Sequence, residues 1–70
     1  MSARDIPDST IVRLKTGVAS FSLSDAMQAL QDMRDTSPED TIHLQNSLAN
    51  VTDIESLITK LRAEIERKLK

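Results

Sequence analysis

The chain lacks cysteine and has a single histidine, a single glycine and a single aromatic residue, Phe21, among its 70 residues. Without cysteine it can form neither a disulfide nor a thiolate metal site, and one histidine without clustered partners does not make a zinc site. One glycine is too few for a loop that cradles phosphates. We therefore expect no metal and no cofactor.

The residues also weigh against catalysis. His43 is the only imidazole, and it falls between Ile42 and Leu44 near the predicted start of a helix. Serines such as Ser24 and Ser37 are better explained as helix caps than as nucleophiles, because the strand-turn-helix context of a nucleophile is missing. We expect a protein that is not an enzyme and that takes no small-molecule substrate.

Charge argues against nucleic acid as a partner. Nine Lys and Arg against eleven Asp and Glu give a net charge of −2, and one Phe cannot form a base-stacking platform. A small DNA-binding regulator with a helix-turn-helix near Pro38 is an alternative. However, residues 25–55 carry seven acidic residues and one basic residue, and DNA repels that sign of charge.

No segment suggests a membrane partner. The N-terminus lacks the apolar core of a signal peptide, and no later run reaches membrane-spanning length. We expect a cytoplasmic protein.

The clearest local signal is the start of a helix at Ser37-Pro38. Ser37 is a typical N-cap, Pro38 suits the first helical position, and Glu39 and Asp40 place negative charge in the first turn. A break near residues 50–53 is an alternative, but we prefer one long helix because neither Gly nor Pro enforces a stop. Apolar residues then recur at helical spacing: Ile42, Leu44, Leu48, Val51, Ile54, Ile58, Leu61, Ile65 and Leu69.

The first part of the chain gives weaker signals. Ser24 is expected to cap a short helix over residues 25–34. Residues 9–23 fit either a helix capped by Asp8 or Ser9, or a hairpin around Thr16-Gly17, and we favour the helix slightly. We expect residues 1–8 to be disordered and residues 9–70 to form a single small helical domain. The helix alternative rests on one apolar stripe: Ile11, Leu14, Val18 and Phe21.

These elements predict an all-α fold in which a short helix and a long amphipathic helix form an antiparallel hairpin, with room for a third, N-terminal helix. A helix over residues 39–69 would be about 45 Å long and the short helix only about 15 Å. The C-terminal stripe would then lack intrachain cover, so we expect a homo-oligomeric helical bundle or coiled coil that also binds another protein. The predicted interaction residues are Leu57, Ile58, Leu61, Ile65 and Leu69.

Two short stretches resemble known families. Pro38-Glu39, Gln45, Leu48 and residues 55–58 resemble type III secretion needle subunits over about the last two-thirds of the chain, which implies a polymerising structural subunit. The tyrosine common after the turn in that family is absent. Residues 23–26 and 53–61 resemble flagellar anti-sigma factors, which implies a small regulator, but the usual Arg-Val pair and Gly-containing spacer are absent. Since the two resemblances exclude each other, the chain is assigned to neither family.

Overall fold

The computed structural model describes residues 6–70, and within that range all regular secondary structure is helical. Helix α1 spans Asp8–Asp32 and helix α2 spans Pro38–Leu69. This confirms the predicted all-α class for the described residues. The chain divides after Arg34 into two units, one around each helix. Of the segment expected to be disordered, residues 1–5 lie outside the described range and Asp8 is the first residue of α1.

Helix α1 is longer than the sequence predicted. Residues 25–34 do not form a separate helix capped by Ser24, because Ser24 lies inside one continuous helix of 25 residues. The hairpin around Thr16-Gly17 is absent from the described residues. The Thr16 hydroxyl instead donates to the carbonyl oxygens of Val12, at 2.8 Å, and Arg13, at 3.0 Å. This local bonding satisfies a side chain that would otherwise favour a turn.

The start of α1 also differs from expectation. Its N-cap is Pro7 rather than Asp8 or Ser9, and no side chain among the described residues caps it. The carbonyl oxygen of Pro7 accepts hydrogen bonds from the backbone amides of Thr10 and Ile11, at 3.0 and 3.3 Å. Asp8 therefore contributes as a negative charge in the first turn, where the helix dipole favours it.

Helix α2 begins as the sequence predicted. The Ser37 hydroxyl accepts a hydrogen bond from the Asp40 amide at 3.2 Å, and the Asp40 carboxylate accepts one from the Ser37 amide at 3.0 Å. These reciprocal bonds form a capping box, with Pro38 at the start of the helix. The bonds from Ser37, first from its amide and then from its side chain, lower the pKa of Asp40, and the nearby His43 adds a smaller effect in the same direction.

Helix α2 continues without a break through residues 50–53, as we preferred from the sequence. The Thr52 hydroxyl donates to the carbonyl oxygen of Leu48 at 3.1 Å and so does not cap a new helix. Near the C-terminus, Glu64 forms an ion pair with Arg67, and it is the only ion pair among residues 6–70. Arg67 follows Glu64 by three residues, so the two side chains lie on the same face of the helix.

Candidate protein-interaction surface

The apolar side chains of both helices are open to solvent. No side chain among residues 6–70 is buried, and Phe21 and Leu69 are 71% and 80% exposed. A helix in a protein gains most of its stability by packing its apolar face against other elements, and helix propensity contributes less. The functional candidates are therefore the apolar faces that each helix presents.

The structure brings most of the predicted interaction residues onto one face of α2. At about 100° per residue, Ile58, Leu61 and Ile65 lie within a narrow stripe, and Leu69 falls on the same face one turn later. Leu57 lies on the edge of this stripe, because it precedes Ile58 by one residue. Leu57 is also more exposed than Ile58, at 65% against 48%. Ile58, Leu61 and Ile65 form the centre of the candidate surface, and Leu69 lies one turn beyond them at its C-terminal end.

The same face extends towards the N-terminus of α2, beyond the residues we predicted. The extended stripe, called the α2 seam below, has alternating spacings of three and four residues, as in a coiled coil. Its polar member, Ser47, donates its hydroxyl to the carbonyl oxygen of His43 at 2.8 Å, so this hydroxyl needs no partner across the seam. The α2 seam consists of Leu44, Ser47, Val51, Ile54, Ile58, Leu61 and Ile65.

The seven-residue recurrence was the sequence signal that could have found the missing part of this seam. Leu44, Val51, Ile58 and Ile65 follow one another at that interval. Three of the four are β-branched, which two-stranded coiled coils favour at such positions. The interaction residues predicted from the sequence began only at Leu57. That prediction was based on the lack of another chain segment to cover the C-terminal stripe, and it did not use the seven-residue repeat.

Helix α1 carries a seam with the same spacing, which becomes visible only when the helix is continuous. Its polar member, Thr16, is already satisfied by the carbonyl oxygens of its own helix. Two alanines, Ala19 and Ala26, alternate with larger side chains, so this surface is narrow and lets another helix approach closely. The α1 seam consists of Val12, Thr16, Ala19, Leu23, Ala26 and Leu30.

A second apolar face on α1 points away from its seam. This face, called the α1 ridge, consists of Ile11, Leu14, Val18 and Phe21, and the average direction of its side chains lies about 140° around the helix from the seam. The sequence predicted this stripe from its spacing. Beside the ridge, Gly17, Ser20 and Ser24 leave an open, shallow depression. One helix therefore presents two apolar faces that a single neighbouring helix cannot cover.

Charges are arranged unevenly along the chain. Residues 25–55 carry a net charge of −6, from seven acidic residues and one basic residue, whereas residues 56–70 carry +3, from five basic and two acidic residues. Glu55 and Arg62 lie on the same side of the α2 seam. Each directly follows an apolar seam residue, and the two are seven residues apart. Packing of two copies that places Glu55 of one chain near Arg62 of the other would be electrostatically favourable.

Comparisons with protein-family models, with curated proteins and with solved structures find no match to this chain. Over residues 6–70, neither helix has the combination of length and apolar content that spanning a membrane requires. The described residues also contain no group of three acidic, histidine or cysteine side chains placed to hold a metal ion.

Proposed function

We propose that the protein is a non-catalytic protein-interaction module that self-associates through the α2 seam and acts as a small regulator or adaptor for another protein. The observation that supports this proposal is the seam along a 32-residue helix in which no side chain is buried; all seam residues except Ser47 are apolar. Burying such a face is the main source of free energy available to a small chain that has no cysteine with which to form a disulfide. The cytoplasm stays the expected compartment, which cell fractionation would test.

The expected architecture is an antiparallel hairpin in which the α1 seam packs on α2, with a second copy completing a helical bundle. With 25 residues, α1 is about 37 Å long, so it can cover more of α2 than the short helix we predicted. The apolar face of α2 is nevertheless wider than a two-helix seam, since Leu48 and Leu57 extend it on its two edges. A face of that width can contact α1 and a second copy of α2 together.

Charge favours an antiparallel arrangement of the two copies. If Ile58 packs against Leu61 of the second copy, then Glu55 lies near Arg62 of that copy, and symmetry repeats the pair. In this register residues 49–55, with a net charge of −2, lie opposite residues 64–70 of the second copy, with a net charge of +1. A parallel arrangement would instead place like charges beside each other. We therefore expect association that weakens as salt is added.

Sedimentation equilibrium over about a hundredfold range of protein concentration tests the proposal, with circular dichroism melts on the same samples. We expect a closed oligomer and a melting temperature that rises with concentration, because folding and association bury the same face. A monomer at all concentrations, with a constant melting temperature, would contradict self-association.

A polymerising structural subunit is the second candidate. It is favoured by the α1 ridge, because two apolar faces on different sides of one protomer allow head-to-tail growth without closure. In the same sedimentation series this candidate predicts species whose mass keeps increasing with concentration, and filaments visible by electron microscopy.

A further inference from the structure

The α1 seam and the α2 seam share one seven-residue register. Alternating steps of three and four residues from Leu30, the last residue of the α1 seam, lead through positions 33, 37 and 40 to Leu44, the first residue of the α2 seam. Apolar faces on two independent helices need not keep a common register across the segment that separates them. Residues 12–65 therefore follow the repeat of a single coiled-coil helix.

Two consecutive positions of this repeat fall on the capping box of α2, at Ser37 and Asp40. The polar seam residues Thr16 and Ser47 donate their hydroxyls to carbonyl oxygens inside a helix. In contrast, the side chains of Ser37 and Asp40 accept hydrogen bonds from backbone amides that are free only at the start of a helix. The repeat is thus interrupted by the same residues that begin α2.

The capping box competes directly with a continuous helix. In a helix that ran on from α1, the Ser37 amide would donate to the carbonyl oxygen of Met33, four residues earlier. In the structure it donates to the Asp40 carboxylate at 3.0 Å, and Ser37 has an extended backbone with φ −86° and ψ 166°. Pro38 adds a second obstacle, because it has no N–H for the carbonyl oxygen of Arg34 and its ring would clash with that carbonyl group.

The C-terminal end of α1 has none of the usual stop signals. The only glycine of the chain is Gly17, and no described residue adopts the positive φ that commonly ends a helix. The last turn of α1 contains no basic residue, and its cap bond runs from the Met33 amide to the carbonyl oxygen of Leu30 at 3.2 Å. The strong determinants of the break therefore lie at the start of α2.

From these observations we infer that Ser37, Pro38 and Asp40 are a built-in break in a coiled-coil repeat, and that they decide whether residues 8–69 form two helices or one. With the break, the α1 seam and the α2 seam are two separate faces. Without it, the helix continues through residues 33–37, and one seam about 80 Å long pairs with a second copy of the chain. The break restricts the length over which two copies can form a coiled coil.

A triple alanine variant, with Ser37→Ala, Pro38→Ala and Asp40→Ala, tests the break on the full chain. It removes both capping bonds and the proline, and it introduces only methyl side chains. The Cα chemical shifts of residues 33–37 should change from non-helical in the parent to helical in the variant, because alanine favours a helix interior. Residues 33–37 that stay non-helical, while circular dichroism still reports a helical chain, would overturn the inference.

Spin labels provide a second measurement on the same variant. Ser20→Cys and Ser56→Cys place labels outside both seams, 36 residues apart. In one continuous helix this separation corresponds to about 54 Å. Electron paramagnetic resonance of the labelled variant, diluted with unlabelled chain, should show one narrow distance near this value. The same distance distribution in the labelled parent and the labelled variant would contradict a change from two helices to one.

One inserted residue tests whether the shared register matters. In the triple variant, an extra alanine between Asp35 and Thr36 keeps the helix continuous but turns the α2 seam by about 100° relative to the α1 seam. The two seams then no longer form one face, so the dimer dissociation constant in sedimentation should rise at least about tenfold. Equal dissociation constants with and without the insertion would show that the break does not interrupt a coiled coil.

This inference and the proposed self-association fail separately. Sedimentation of the parent chain tests association through the α2 seam, whereas the helicity of residues 33–37 in the triple variant involves no residue of that seam. A monomeric parent whose triple variant is helical at residues 33–37 would contradict self-association and support the break. An oligomeric parent whose triple variant stays non-helical there would do the reverse.

Discussion

Leu61→Asp is the sharpest test of the α2 seam. Leu61 lies in the seam between Ile58 and Ile65, and 40% of its side chain remains exposed on the single chain. Fully burying a leucine contributes about 1.5 to 3 kcal/mol, so covering this remaining part contributes about 1 kcal/mol per copy. In a dimer the lost burial is therefore about 2 kcal/mol.

The aspartate adds a second cost, because the interface must desolvate an unpaired carboxylate in each copy. Even a conservative value of about 1 kcal/mol per carboxylate brings the total to about 4 kcal/mol. Since about 1.4 kcal/mol changes an equilibrium constant tenfold, the dimer dissociation constant should rise about 10³-fold. Leu61→Ala removes only the burial contribution and should raise the constant about thirtyfold.

Ile42→Asp provides a matched control. Ile42 is 60% exposed on α2 and lies about 160° around the helix from Ile58, so the same substitution removes an apolar side chain away from the seam. Sedimentation equilibrium of the three variants and the parent gives the dissociation constants, and circular dichroism reports their helicity. If Leu61→Asp and Ile42→Asp weaken association equally, or if Leu61→Asp has no effect while the chain stays helical, the α2 seam is not the interface.

Three further predictions follow from the structure. Glu55→Arg and Arg62→Glu should each weaken association by up to about tenfold, and the double exchange should restore it, if two copies pack antiparallel; additive losses in sedimentation would refute that orientation. The bonds from Ser37 lower the pKa of Asp40 below its ordinary value of 3.8. The ionised form therefore stabilises α2 above that value, and the contribution is lost as the pH falls through the folded pKa. Helicity measured by circular dichroism should therefore decline in that acidic range, and less so in Asp40→Asn. Gly17→Ala should raise the free energy of unfolding by about 0.5 to 1 kcal/mol in denaturant melts, because a Cβ at this position meets nothing within 4 Å, and a destabilised variant would show that glycine is needed within α1 itself.

Helix α2 could be predicted closely from the sequence because its determinants are local. The capping box joins Ser37 to a residue three positions later, and the bond from Thr52 to Leu48 spans one helical turn. Such bonds depend on side chains within four residues, so reading the sequence in order is enough to identify them. The stripe from Ile58 to Leu69 follows from the same regular helix.

Helix α1 required the structure, because its local signals compete. Ser24 is a good N-cap by type but serves equally well inside a helix, and the β-branched residues near Thr16 are compatible with either a strand or a helix. In the structure, backbone hydrogen bonding is continuous over Asp8–Asp32, so the whole segment is one helix. Only then do Val12, Thr16 and Ala19 join Leu23 in one seam, and only then does the ridge ending at Phe21 become a separate face. The sequence alone determined that the chain is helical, where α2 starts and how the apolar residues are spaced. The number of apolar faces on α1 depended instead on whether that helix is continuous. This is because the direction of a side chain is defined only relative to the helix axis that it shares with its neighbours.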